Sequence, residues 1–210
     1  MIFQKLAGSG ISYKPADFKT EVHFFGQIVG ASNVIEHDSV FIEAYFVTGE
    51  QWRYLSPKLF IQTQTCEVDH FNNVTFCHPF DLHLTTENLS GWPRLVVRIW
   101  KLGDTNKVNI LSYGTCYLPN TKGYHELEFQ TFCLKFSVAD EALWCQLNSK
   151  PLISMSDPMD PNLIKRNFLL SKPGPKVKVT CEVILRNFTF HALSGLEEEK
   201  VEEEENVYEV

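Results

Sequence analysis

This sequence contains no apolar run near the roughly 20 residues that span a bilayer. It also lacks the N-terminal series of basic, apolar and small residues that is cleaved on secretion. The chain is therefore expected to stay in the cytosol, where thiols remain reduced. None of Cys66, Cys77, Cys116, Cys133, Cys145 and Cys181 forms a CxxC pair. They read as buried thiols of apolar strands rather than zinc ligands or disulfides. Without secretion, the glycosylation-like triplets at Asn73, Asn88 and Asn187 carry no meaning. Clustered Lys and Arg are missing too, and a formal net charge of -7 argues against general affinity for nucleic-acid phosphates.

Catalytic signatures are equally scarce. There is no glycine-rich phosphate loop, GxSxG elbow, HExxH pair or dinucleotide fingerprint. His78 and His83, in CHPFDLHL, are spaced so that a strand would project them to opposite faces, which favours structural histidines over acid–base or metal chemistry. Calcium takes about six to eight oxygens. Here Asp38, Asp69, Asp81, Asp104 and Asp140 are isolated, and only Asp157 and Asp160, in DPMDP, form a pair. No catalytic residue, metal or cofactor is expected.

What is abundant is aromatic: 16 Phe, 7 Tyr and 4 Trp, residues that favour strands. EVHFFGQIVGA places Val22, Phe24 and Ile28 on one face and His23, Phe25, Gln27 and Val29 on the other, with Gly26 marking a bulge or a close approach by a neighbouring segment. SVFIEAYFVT alternates similarly, and further strands are expected over 59–65, 74–84, 94–102, 108–118 and 124–136. PKVKVTCEVILRNF, from 175, sets Val177, Val179, Cys181, Val183 and Leu185 opposite Lys176, Lys178, Thr180 and Glu182. Between 138 and 172 the alternation lapses, with two helical turns expected over 139–147 and an irregular loop where Pro151, Pro158 and Pro161 follow. The expected architecture is an all-β antiparallel sandwich of about seven or eight strands with a short helical or irregular insertion. Residues 1–20 form an extended lead-in, 21–193 the domain, and 194–210 an acidic tail containing LEEEKVEEEE.

Two segments have the character of interaction elements. In SGWPRLVVRIW, Gly91 suits a turn and Pro93 the start of a strand, leaving Trp92 as a plug over the sandwich end or, alternatively, an exposed anchor. GEQWRYL offers Trp52 and Arg53 to a partner. Lys165, Arg166, Lys172, Lys176 and Lys178 are candidates to face an anionic lipid surface, although such a spread of cations is more often an ordinary solvated face. The tail reads as a solubility element, with docking on a basic patch of tubulin or a sister subunit as the alternative.

HFFGQIVGAS, TGEQW, HPFDLHL, GWPRLVVRIW, SYGTCYLP and VILRNF occur in this order. Together they resemble the B-nine (B9) domain family, the C2-like β-sandwich proteins of the ciliary transition zone, from about Glu21 to Phe190. The resemblance singles out Gly26, His78, Pro79, Asp81, Gly91, Trp92, Pro93 and Arg94 as family-signature positions, mostly structural. It implies a non-catalytic scaffold at the ciliary base, assembled with sister B-nine domain proteins edge-to-edge or face-to-face. Contacts with transition-zone membrane proteins are expected as well, and calcium ligands are not. The alternative function is a calcium-independent peripheral phospholipid-binding module.

Overall fold

The computed structural model describes residues 20–35, 39–58, 60–103, 108–135 and 170–188. Nine elements are described and all are strands: β1 (Thr20–Ser32), β2 (Ser39–Val47), β3 (Trp52–Tyr54), β4 (Phe60–Gln62), β5 (Val74–Thr86), β6 (Arg94–Leu102), β7 (Val108–Tyr117), β8 (Gly123–Leu134) and β9 (Ser171–Arg186). They form one antiparallel sheet in the order β3-β5-β1-β9-β8-β7-β6-β2-β4.

The ladder is long through the middle of this order except between β7 and β8, where the register pair is Tyr113 opposite Phe132. At that seam the sheet folds over on itself. Val22, Phe24 and Ile28 of β1, Leu82 and Leu84 of β5, and Val177, Val179 and Cys181 of β9 share one core with Val40, Ile42 and Phe46 of β2 and Leu95, Val97 and Ile99 of β6. The sheet is thus a sandwich, with β3-β5-β1-β9-β8 as one layer and β7-β6-β2-β4 as the other. The all-β antiparallel sandwich is the class expected from the alternation, since each inward set buries about 1.5–3 kcal/mol per large aliphatic or aromatic side chain.

Several details depart from the sequence expectation. Trp52–Tyr54 is a strand where the sequence suggests only residues flanking a turn, because a three-residue edge strand carries no period. The final strand begins at Ser171 rather than after Pro173 and Pro175. β1 reaches β9 only as far as Ser32 opposite Lys176, so the prolines sit where β9 is paired on one side only, by β8. An edge position forgives a missing N–H. Gly26 marks the close approach and not the bulge: β1 shifts register between Ile28 and Gly30, opposite Cys77, whose φ is 48°. The lead-in before Thr20, the insertion over 139–147 and its proline loop, Cys145, Asp38, Asp104, Asp140, Asp157, Asp160, Lys165, Arg166 and the acidic tail lie outside the described residues.

Candidate interaction faces

At one end of the sandwich the two glycine-bearing turns lock together. The Gly49 N–H donates to the Gly91 carbonyl at 2.8 Å. Gly91 has φ +69°, and a Cβ there would lie 2.5 Å from the Gly49 Cα, so only glycine fits. Trp52 Nε1 donates to the Ser90 carbonyl and Trp92 Nε1 to the Leu118 carbonyl, each at 2.9 Å. The Trp92 ring stands edge-on to Trp52 at 5.2 Å, to Phe24 at 6.2 Å and to Phe188 at 6.5 Å. Pro93, buried, accepts from the Leu118 N–H at 3.0 Å just before β6. Trp92 is placed as a plug. Trp52, put forward as a partner contact, is only 5% exposed, so its surface is spent inside the fold; of that pair Arg53 alone faces solvent.

The sheet edges are short or interrupted. β3 pairs only Leu84, Thr85 and Thr86 of β5. Farther along β5, the Gln64 side-chain amide donates to the Phe76 carbonyl at 2.6 Å. Between these points Pro79 offers no N–H and Cys77 is kinked to positive φ. The opposite edge, β4, has three residues. Such edges are poor templates for strand addition, which directs attention to the faces. Of the remaining signature positions, His78 and Arg94 are half-buried and Asp81 is exposed.

On the outer face of β8 and β9, Lys176 Nζ lies 2.8 Å from Glu128 Oε1 and Lys178 Nζ 2.8 Å from Glu126 Oε2. The lysine hydrogen bonds hold both carboxyl groups below the usual carboxylate range, and the bond to Glu126 raises Lys178. Two lysines of the expected lipid-facing set are thus matched by carboxylates. Because these carboxyl groups titrate lower in the folded chain, the stability they contribute is complete above the ordinary carboxylate range and is lost as pH falls through the lowered values. A Lys176→Ala, Lys178→Ala variant is expected to unfold at lower urea than the parent at about pH 7, with the gap closing at about pH 3. High salt should narrow it as well.

Across β1 and β5, His23 stands opposite His83 with ring centroids 5.0 Å apart. His23 Nε2 meets Asp81 Oδ1 at 2.5 Å, while His83 Nε2 lies 3.5 Å from Glu21 Oε2, which is also 3.4 Å from Arg186. Sequence reasoning misses this cluster because alternation does not reveal which strands pair. Among the described residues no group of three or more His, Cys, Asp or Glu is arranged to hold a metal. Among the described residues, Cys66, Cys77, Cys116, Cys133 and Cys181 form no disulfide. Cys77 is exposed and Cys66 and Cys116 are half-buried, contrary to expectation; Cys77 shares the outward parity of Thr75, Pro79 and Asp81 on β5. Burial pushes Cys181 up to about 12 and leaves it chemically inert.

The outer face of β7-β6-β2-β4 is different in kind. Phe41 stacks on Trp100 at 6.2 Å and Tyr113 on Phe132 at 5.8 Å. The Arg98 guanidinium lies 5.3 Å from the Tyr45 ring centroid and 3.8 Å from Glu43. Val96 and Tyr113 anchor a second cluster with Tyr45, Val47, Ile110 and Leu134. At its margins Phe60 is 59% and Tyr117 66% exposed. An outer sheet face is ordinarily polar. The sequence signal for this face is the poverty of polar positions in FIEAYFV and LVVRIW.

Residues 22–184 match the family model described as "Ciliary basal body-associated, B9 protein". The chain is similar to B9 domain-containing protein 2 of Homo sapiens, 31% identical over 168 residues, which is 80% of this chain and 95% of the human protein. Against the protein of that name from Rattus norvegicus the identity is 36% over 112 residues, 53% of this chain and 63% of the relative, so that match spans less than two thirds of the relative's length. For Drosophila melanogaster the identity is 28% over 173 residues, covering 80% and 94%. Among solved structures, a C2 domain of plant Extended Synaptotagmin 1 aligns with TM-score 0.42 and 8% identity over 78% of this chain and 92% of that one.

Proposed function

This chain belongs to the B9 protein family, described as ciliary basal body-associated, and from that premise we propose that it is a non-catalytic scaffold subunit of a B9 complex at the ciliary transition zone. In this reading it supports ciliogenesis and the gating of ciliary membrane proteins by assembling with sister B9-domain proteins. The observation that carries the reading is the pair of exposed aromatic side chains, Phe60 and Tyr117, at the margins of the outer face of β7-β6-β2-β4, over a floor in which Phe41, Val96 and Tyr113 are themselves buried. Aromatic side chains over a packed apolar floor, with an arginine held among them, are the composition of binding hot spots. Blunt sheet edges favour face-to-face over edge-to-edge assembly. The alternative, in which Lys176 and Lys178 dock on an anionic membrane, lacks this support, because both are already matched by Glu128 and Glu126.

Purified sister B9-domain proteins are expected to co-elute with this chain at micromolar concentration. Phe60→Glu combined with Tyr117→Glu should separate them while leaving far-UV circular dichroism and the cooperative thermal transition in place. Elution of the sisters apart from the unaltered chain overturns the scaffold reading.

A further inference from the structure

The seam between the two layers is closed for only part of its length. β8 pairs with β9 from Gly123 to Leu134, whereas its pairing with β7 is Tyr113 opposite Phe132. Over Tyr124–Gln130 the β8 main chain therefore has, among the described residues, a ladder on the β9 side alone. At ~3.3 Å per residue this open margin is roughly 23 Å long, a full strand where β3 and β4 have three residues each. It contains no proline, and the register shift of β8 lies beyond it, between Gln130 and Phe132.

Burial follows the same division. Thr131 and Cys133, beside the closed part of the seam, are 1% and 8% exposed, while Leu127 and Phe129, on the same inward face, are only half-buried against the core. Their partners Val179 and Val177, on the doubly flanked β9, are completely buried. The opening is held in place from both sides. At Gly114 the layers still touch, since a Cβ there would lie 3.1 Å from a Phe129 ring carbon. Beyond it β7 stays laddered to β6 through Tyr117, and the Leu118 N–H and carbonyl are taken by Pro93 and Trp92. Closing the seam would break one ladder or the other.

The side chains define what the margin accepts. Leu127 and Phe129 offer an apolar floor inward, and Glu126 and Glu128 an acidic row outward. β9 already displays the matching pattern, with Val177 and Val179 inward and the Lys176 and Lys178 ammonium groups each 2.8 Å from one of these glutamates. A strand of the same alternation on the other flank would meet the same row, where opposite charges across strands attract. A second copy of β8 fits poorly, because antiparallel pairing about Leu127 sets Glu126 against Glu128.

We infer that the margin Tyr124–Gln130 of β8 binds an extended segment of another protein as an added strand, with aliphatic side chains turned inward and Lys or Arg outward. Main-chain hydrogen bonds supply affinity and the alternation supplies selectivity. The blunt end strands β3 and β4 leave this interior margin as the place for such an addition. The contact is separate from the outer aromatic face, so it stands or falls independently of the scaffold reading.

The test uses the full chain and a fluorescent peptide of residues 175–181, PKVKVTC, carrying Cys181→Ser. Saturable binding is expected by anisotropy, weakening with salt. A peptide with Lys176→Glu and Lys178→Glu should bind at least about ten-fold more weakly, as should one of scrambled order. In the chain, Leu127→Lys places a charge inward on the margin and should abolish binding, whereas Phe60→Glu binds like the parent. Hydrogen exchange of the parent supplies a readout that needs no variant. Every second amide of Tyr124–Gln130 should exchange fast in the free chain and slow down with peptide, because alternate residues of a strand point to opposite edges. Absence of peptide binding, equal binding of the scrambled peptide, or protection elsewhere overturns the inference. Amides of this margin that are all slow in the free chain overturn it too, whether the margin is covered by the chain itself or, where protection rises with protein concentration, by a second copy.

Discussion

Gly26→Ala is expected to abolish cooperative folding, although it adds one methyl group. Gly26 sits in the middle of β1, opposite Phe80 of β5 on one side and Cys181 of β9 on the other. A Cβ at this position would lie 2.0 Å from the Thr180 carbonyl oxygen and 2.9 Å from the Cys181 Cα. Both are backbone atoms, so no rotamer change relieves the clash. The strands must separate, and the β1–β9 ladder carries inward residues that are fully buried, Phe24, Val179 and Cys181 among them. Losses above about 4–5 kcal/mol are exceptional for one substitution, and this one competes with a total stability of about 5–15 kcal/mol. The expected readout is loss of the thermal transition in circular dichroism. Thr180→Ala should not rescue it, because the clashing oxygen belongs to the main chain.

Gly26 and Trp52 mark the two sides of what a sequence reveals. Alternation locates the long strands because a strand covered on one face must repeat every second residue, and β1, β5 and β9 do. It also flags Gly26 as a site of close approach. Pairing between strands distant in the chain leaves no local trace, so the placement of β1 between β5 and β9, and with it the His23–His83 pair, is visible only in the structure. Trp52 looks available because it follows a turn and precedes Arg53. Its burial depends on Trp92 and on Ser90, 38 residues away in a turn that the local sequence does not mention. Pro173 and Pro175 mislead in the opposite sense, since their tolerance depends on which partner strand is absent.

Trp92→Ala is expected to destabilise the domain by about 3–5 kcal/mol, the range for emptying a large aromatic site. The void would open among Phe24, Trp52 and Phe188, and the Leu118 carbonyl would lose its indole donor. Trp92→Phe separates the two contributions: it keeps an apolar ring in the plug and removes the N–H, at a cost of about 1–3 kcal/mol for the stranded acceptor. Trp52→Ala should approach the Trp92→Ala value, because its ring packs on the same neighbour and its N–H satisfies the Ser90 carbonyl. The double variant should fall short of the sum, since removing either tryptophan already deprives the other of its edge-on partner. Urea midpoints for the parent and these variants measure this directly. The Trp92 ring packs on Phe24, Trp52 and Phe188 in the interior, whereas Tyr117, although it directly precedes the acceptor Leu118, belongs to the outer face, so whatever fraction of Trp92→Phe remains folded should still co-elute with sister subunits. A loss of co-elution larger than the loss of folded protein would instead place Trp92 within the contact itself.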